Sequence, residues 1–178
     1  MKIIANPMDV VCELTLLLEK VGREILQIRH DWSNKLNIKH KEGVWDVVSA
    51  ADYAVKRTLV NFLRQHFPDY GIDTEEKTST NLNSESTWVI DLIDGTAMFL
   101  GEMDLFGISL GLVRYNNLPV FGIIHYPVLG KTLYAMKDCG VFMNGKPLPS
   151  SKPFYGSLAD SLVVGEFHRG FEFVYPGI

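Results

Sequence analysis

Two aspartates three positions apart, followed by a glycine and a threonine, carry the clearest chemical potential of this sequence. Asp91, Asp94, Gly95 and Thr96 come directly after an apolar run that is typical of a buried strand. In a regular strand, residues three apart point to opposite faces, so these two carboxylates would not share a ligand there. We therefore expect the chain to turn near Ile93, and a glycine permits such a turn.

The chemistry that this pattern favours is the binding of a hard divalent cation. Magnesium takes oxygen ligands and usually keeps waters and a substrate phosphate, which suits two carboxylates and the carbonyl of Ile93. Residues 96–100 can begin a short helix whose free N–H groups favour a phosphate. The structural alternative is an Asx turn that caps a helix, because Asp and Gly are common turn residues. This motif alone leaves both interpretations open.

Two further acidic segments precede it. Glu75 and Glu76 follow a predicted helix stop at Phe67-Pro68 and precede a polar loop, and by themselves they are typical of charged residues in a solvated loop. Asp52 stands three residues after Ser49, a spacing similar to a capping box ahead of a helical pattern. By itself, Asp52 would only favour the positive end of that helix.

Taken in chain order, these segments resemble the inositol monophosphatase family of magnesium-dependent, lithium-sensitive sugar phosphatases. Residues 46–52, 72–76 and 88–99 are similar to the family patterns D-x-V-T-x-A-D, G-E-E and W-I-I-D-P-I-D-G-T-x-N-F. Residues 140–148 are similar to the family hairpin G-A-F-x-N-G-x-x-L. Three ordered motifs and a hairpin make a chance match improbable, and together they extend over most of the chain.

The resemblance implies a magnesium site and a set of ligands for it. The implied ligands of the Mg²⁺ ions are Glu75, Asp91, Asp94 and the carbonyl of Ile93. Asp94, Gly95 and Thr96 would contact the substrate phosphate.

The resemblance also implies the catalytic residues. Asp52 would lie beside Thr96, and this pair would polarise the attacking water, while Glu75 would assist through a metal-bound water. The implied reaction is hydrolysis of a small phosphate monoester without a covalent phosphoenzyme, with inositol monophosphate as the first candidate substrate. Histidinol phosphate, or a bisphosphorylated nucleotide, is the alternative substrate, and a catalytically inactive family member is the alternative function.

The chain departs from the family pattern in three residues and in length. Leu92 replaces a proline, Met98 replaces an asparagine, and Thr74 stands where glycine or serine is usual. No segment resembles the W-D-x-A-A-G motif of the family's second half, whose aspartate completes the metal cluster. We expect the sequence to be a fragment, a truncated gene product, or a chain completed by a partner, and metal binding without that aspartate to be weak.

Composition limits the remaining function classes. A chain of 178 residues with 47% hydrophobic and 21% charged residues can form one sizeable core, so we expect one domain over residues 1–178. A net charge of −4 offers no basic surface for nucleic acid. Cys12 and Cys139 are too few for a disulfide scaffold, which favours the cytoplasm. No run has the length of a membrane span, and the N-terminal residues lack the pattern of a signal peptide.

Hydrophobic periodicity predicts two helices in the first part of the chain. The first begins at Asn6-Pro7 or Asp9 and continues past Ile28. Residues 43–48 read as a loop with a short extended piece, and residues 52–67 read as the second helix. Residues 78–87, rich in Ser, Thr and Asn, read as a solvated loop.

The second part of the chain is predicted to be an antiparallel meander. Strands are expected over residues 106–115, 120–126 and 131–136, with turns at Asn116-Asn117 and Asn144-Gly145. The fold class is therefore α+β, with helices layered on an antiparallel sheet. The family resemblance implies the N-terminal part of the sugar-phosphatase fold, and a homodimer. His125 and Trp88 are interpreted as packed residues rather than as ligands.

Overall fold

Two long amphipathic helices open the fold. The computed structural model describes residues 7–36, 44–74, 80–81, 84–114 and 118–149, without the side chains of residues 7–9, 32–36, 44–52 and 54. Helix α1 spans Pro7–Leu36, as predicted. Its buried residues recur every three or four positions, which is the spacing of one helix face, and they are Val11, Leu14, Leu18, Val21 and Ile25.

Helix α2 spans Val44–His66 and begins earlier than the sequence predicts. The loop expected over residues 43–48 is wrong from Val44 onward, and Ser49 and Asp52 lie inside the helix rather than at its start. Valines lower helix propensity by only tenths of a kcal/mol, and tertiary packing readily overrides such a preference. A spacing of three residues also occurs on any helix face, so the capping signal was not specific.

Within the described residues, the sheet contains seven strands in the order in which they occur along the chain. The strands are β1 (Gly71–Thr74), β2 (Ser86–Asp94), β3 (Gly107–Arg114), β4 (Leu118–Tyr126), β5 (Lys131–Met136), β6 (Gly140–Met143) and β7 (Lys146–Pro147). The short helix α3 (Thr96–Leu100) separates β2 from β3. From β2 onward every pair is antiparallel, which confirms the predicted meander, whereas β1 pairs with β2 in parallel.

The turns follow from their residue types where the structure describes them. Asn144 and Gly145 connect β6 to β7 with φ values of 49° and 77°, which confirms the predicted hairpin. The Asn144 amide also accepts a hydrogen bond from the Thr132 N–H at 2.7 Å, and so it joins the hairpin to β5. The predicted turn at 116–117 lies outside the described residues. The predicted polar loop 78–87 is shorter than expected, because β2 already begins at Ser86 and Thr80 pairs with Ile72.

One face of the sheet packs against the two long helices. Alternate residues of β2 are buried there, and Trp88 is 1% exposed. Its indole packs against the rings of Phe67 and Phe121, with ring centroids at 5.3 and 6.1 Å. The interpretation of Trp88 as a core anchor is therefore confirmed.

His125 is a second packed residue, at the contact of α1 with β4. Its ring is hydrogen-bonded through Nδ1 to the Thr132 hydroxyl at 2.9 Å. Gly22 of α1 provides the space, since a Cβ there would lie 3.1 Å from the imidazole. Burial lowers the pKa of His125 below 6.5, while Glu19 raises it and Arg23 lowers it further.

The described elements all belong to one unit, Met1–Leu148. A single domain over residues 1–178 stays a prediction, because residues 150–178 lie outside the described ones. None of the helices in the described part of the chain is long and apolar enough to cross a membrane.

The burial pattern of α1 predicts that two nearby leucines contribute very differently to the free energy of unfolding. Leu18 is completely buried, whereas Leu16 is 66% exposed. We expect Leu18→Ala to lower the free energy of unfolding by about 2–5 kcal/mol, because it leaves a cavity, and Leu16→Ala to change it by less than about 0.5 kcal/mol. Urea denaturation of both variants measures this difference, and equal effects would contradict the described packing of α1.

The buried imidazole predicts a pH dependence of stability. Because the folded protein holds the pKa of His125 below 6.5, the unfolded chain binds the proton first as the pH falls. The stability contribution is complete above about pH 6.5 and is lost below it, with a slope of at most about 1.4 kcal/mol per pH unit. His125→Asn should flatten the curve of unfolding free energy against pH between pH 7.5 and 5.5. A slope that His125→Asn does not alter would contradict the assignment.

Candidate active site

The predicted acidic motif lies at the end of β2, where the strand is irregular. Asp91 pairs with Ser109 of β3, and Asp94 pairs with Gly107. Three steps along β2 therefore match two steps along β3, so β2 contains one extra residue. Such a β-bulge bends its strand and changes the direction of the side chains that follow. The strand continues to Asp94, so the expected turn lies at Gly95 rather than at Ile93 itself, and the predicted short helix follows it over Thr96–Leu100.

The bulge allows Asp91 and Asp94 to point to the same side of β2, which a regular strand would not allow. Leu92 and Ile93 are adjacent in sequence, yet they are only 3% and 4% exposed. Asp91 is half-buried and Asp94 is exposed, so the acids flank two residues that both enter the core. The bulge thus places both carboxylates on the less buried side of β2.

A tight turn follows the second aspartate. Gly95 has φ 85° and ψ 44°, which is the left-handed conformation, and it precedes α3 as the N-cap residue. A Cβ at this position would lie 3.0 Å from the Leu105 carbonyl oxygen. Both the backbone angle and the lack of space therefore require glycine here. The Phe99 N–H donates to the Gly95 carbonyl at 3.0 Å and closes the first turn of α3.

The threonine after this glycine is oriented by the bulge. The Thr96 hydroxyl donates a hydrogen bond to the Ile93 carbonyl at 3.1 Å. The hydroxyl oxygen keeps lone pairs that can accept a hydrogen bond from a water or another donor. The carbonyl of Ile93 has a second lone pair, so the bond to Thr96 leaves it able to bind a cation.

The oxygens at this end of β2 are suited to a hard cation. Oδ1 of Asp91 is shielded from solvent, while Asp94 is open to it. Two carboxylates and a carbonyl are the oxygen donors that magnesium prefers. Within the part of the chain that the structure describes, no group of three or more His, Cys, Asp or Glu residues is placed to hold a metal.

The remaining predicted site residues lie at or beyond the described boundaries. Glu75 lies outside the described residues. Thr74, which precedes it in sequence, pairs with Ile90, which precedes Asp91. The backbone of Asp52 lies in α2, a helix that contacts α3. The side chain of Asp52 is outside the described residues. Of the predicted site residues, the structure therefore describes fully only those that are consecutive or nearly so in sequence, namely Asp91, Ile93, Asp94, Gly95 and Thr96.

Of the departures from the family pattern, two have clear structural roles. Leu92 is buried in the core, and Met98 packs against it, so both side chains act as apolar packing residues. The leucine carries an N–H that a proline would lack, and the bulge is compatible with it.

The helix after Gly95 is held by residues that the sequence analysis did not identify. The rings of Phe99 and Phe106 meet edge to face at 5.1 Å, and the Arg29 guanidinium lies over both. Arg29 is 74 positions from its hydrogen-bond acceptor, the Met103 carbonyl. No local sequence signal connects residues so far apart.

A model of the inositol monophosphatase family matches residues 10–170 of this chain. The fructose-1,6-bisphosphatase/inositol-1-monophosphatase of Thermotoga maritima is 36% identical over 136 residues, covering 76% of this chain and 51% of the relative. Human inositol monophosphatase 1 is 31% identical over 137 residues, covering 75% and 48%. The chain thus spans about half the length of the curated relatives it matches.

Solved structures show the same fold. The Thermotoga maritima IMPase superposes with a TM-score of 0.65 and 32% identity, covering 81% of this chain and 54% of that one. The extragenic suppressor protein SuhB of Bartonella henselae gives a TM-score of 0.63 and 26% identity, covering 78% and 53%. The predicted α+β class, with helices on a mostly antiparallel sheet, is confirmed.

The geometry of the turn predicts that adding a single methyl group at Gly95 strongly lowers stability. Gly95→Ala should lower the free energy of unfolding by about 1–3 kcal/mol, because alanine disfavours the left-handed conformation and its Cβ would crowd the Leu105 carbonyl. Gly111→Ala is the matched control, since a Cβ there meets its nearest atom only at 4.0 Å. Denaturant titration of both variants tests the turn; a neutral Gly95→Ala would contradict it.

Proposed function

Because the chain belongs to the inositol monophosphatase family, we propose that it contributes the metal and phosphate site of a magnesium-dependent phosphomonoesterase. The substrate class is a small phosphorylated molecule, and the reaction is attack of water on the phosphorus of a monoester. The proposal rests on the three motifs over residues 46–52, 72–76 and 88–99, which are similar to those of the family.

The observation that carries the proposal is the bulge in β2. It places Asp91 and Asp94 on one side of the strand, although their spacing in a regular strand would separate them. A simple helix-capping turn would need neither the bulge nor a second carboxylate. The arrangement therefore supports shared ligation of a cation rather than the capping alternative.

Different groups of this chain would bind the cation and the substrate phosphate. Asp91, Asp94 and the Ile93 carbonyl would bind magnesium, and Glu75 would complete the set. The bound cation supplies positive charge that acidifies a water and neutralises the phosphoryl oxygens. The N–H groups at Gly95 and Thr96 would face the phosphate, and fixed donors of this kind stabilise charge that develops during transfer.

Thr96 would orient the attacking water by accepting its hydrogen bond. The hydroxyl has a single proton, and it donates that proton to the Ile93 carbonyl at 3.1 Å. For Thr96 and Asp52 to polarise a water as a pair, the Thr96 hydroxyl would have to donate that proton to Asp52 instead of to the Ile93 carbonyl. We propose that this exchange of acceptors accompanies binding of the cation, because the Ile93 carbonyl would be one of its ligands and the Thr96 proton would then face a nearby positive charge.

The names of the relatives support small phosphate esters as substrates without selecting one. Two of them are named inositol monophosphatases, and the Thermotoga maritima relative is also named a fructose-1,6-bisphosphatase. We propose inositol monophosphate as the first substrate to test. Histidinol phosphate, fructose 1,6-bisphosphate and a bisphosphorylated nucleotide are the alternatives.

We further propose a cytoplasmic homodimer that lithium inhibits. The two cysteines, both exposed, are consistent with a reducing compartment. The dimer and the lithium sensitivity rest on the family alone, and sedimentation and a lithium titration test them separately.

The decisive variant is Asp94→Asn, which keeps the shape of the side chain but removes a charge from the proposed cation site. We expect magnesium-dependent phosphate release to fall by about 100-fold or more, because the residue would bind the cation beside the reacting phosphate. Phosphate release from the four substrates, with magnesium and with chelator, measures the effect. Asp138→Asn is the control, since Asp138 is exposed in the turn between β5 and β6 at φ 63°.

Two results would contradict the proposal. Near-normal release by a folded Asp94→Asn variant would remove the aspartate from the site. No release by a folded wild-type chain, together with no cation binding in calorimetry, would favour a non-catalytic family member.

A further inference from the structure

Helix α3 cannot owe its position to its own stability. It contains only five residues, and helices of this length do not form in water by themselves. Its N-cap residue, Gly95, provides no side-chain hydrogen bond. Contacts with distant parts of the chain must therefore determine where α3 and the preceding turn lie.

Arg29 of α1 makes such a contact with three groups at once. Its guanidinium carbon lies 5.0 Å from the ring centroid of Phe106 and 5.8 Å from that of Phe99. Its Nη1 donates a hydrogen bond to the Met103 carbonyl at 3.1 Å. A planar guanidinium can stack on aromatic rings with its face while its edge donates hydrogen bonds, which a lysine ammonium cannot do in the same geometry.

The segment that Arg29 contacts also contacts the turn. The Leu105 carbonyl and the Cα of Phe106 lie 3.0 and 3.4 Å from the position of a Cβ on Gly95. The Phe99 N–H donates to the Gly95 carbonyl, and the Met103 N–H donates to the Met98 carbonyl at 2.9 Å. The loop 101–106 and α3 thus contact both Gly95 and Arg29.

We propose that Arg29 is a positioning residue, which fixes α3 and loop 101–106 and thereby sets the geometry of the Asp94-Gly95-Thr96 turn. Its link to catalysis rests on the proposed function; its effect on the turn does not. Arg29 is half-buried on α1, so this contact ties the N-terminal helix to a segment that follows β2.

Hydrogen exchange tests the proposal without any catalysis. In Arg29→Gln, which removes the charge and the guanidinium plane, the amides of Phe99 and Met103 should lose protection by about tenfold. The amide of Ile123, in the central strand β4, should keep its protection. Arg29→Lys should fall between the two, because it keeps the charge but not the fork. Arg57→Gln, an exposed arginine of α2, is the control and should change none of these rates.

Two outcomes would overturn the proposal. Unchanged protection of Phe99 and Met103 in Arg29→Gln would show that the contact does not hold α3. An equal loss at Ile123 would show that Arg29 contributes only to global stability.

A second measurement separates this inference from the proposed function. If the wild-type protein releases phosphate, Arg29→Gln should lower kcat by a larger factor than it changes KM, and Arg29→Lys should restore part of it. An unchanged kcat alongside local loss of protection would overturn the catalytic link. If the wild-type protein releases none and binds no cation, local loss of protection in Arg29→Gln would still support the positioning role, while the proposed function would fail.

Discussion

The extra residue in β2 is the constraint on which the candidate site depends. Without it, Leu92 and Ile93 would point to opposite faces, and so would Asp91 and Asp94. Burial of both apolar side chains, each worth about 1.5–3 kcal/mol relative to exposure, offsets the ladder hydrogen bonds that a bulge disrupts. The same packing that stabilises the core therefore leaves both acids on the less buried side of β2. The candidate site and the stability of the core therefore depend on the same bulge in β2.

The helix layer holds this irregularity in place from two directions. Helices α1 and α2 cover the face of the sheet to which Trp88, Ile90 and Leu92 point, so β2 cannot shift its register without exposing large side chains. At its far end, α1 also reaches α3 through Arg29 and the rings beneath it. The turn at Gly95 lies between these contacts, and a short helix with no side-chain cap is kept in one position. If the proposed phosphate site is present, this frame would supply the rigid positioning on which catalysis of this kind depends.

Local sequence patterns predicted the elements whose stability is local. The long apolar stripe of α1, the alternation of β3 to β5 and the Asn144-Gly145 hairpin all agree with the structure, since each depends on residues close in sequence. The start of α2 was predicted too late, because a weak capping signal at Ser49 competed with a helix that continues through it. The parallel pairing of β1 with β2 was not predicted, because four residues carry too little pattern to reveal a distant partner.

The sequence by itself determined the family, the α+β class and the candidate oxygen donors, because motif order, hydrophobic periodicity and side-chain chemistry depend only on the residues of the chain. It also showed that the spacing of Asp91 and Asp94 needed a break in strand geometry, but it placed the break at a turn near Ile93. Only the tertiary structure decided on a bulge, since the choice depends on pairing with β3 and on a core that accommodates both neighbouring side chains. Likewise, only the tertiary structure brought Arg29 to Phe106, because contacts between distant residues arise from packing and leave no local pattern.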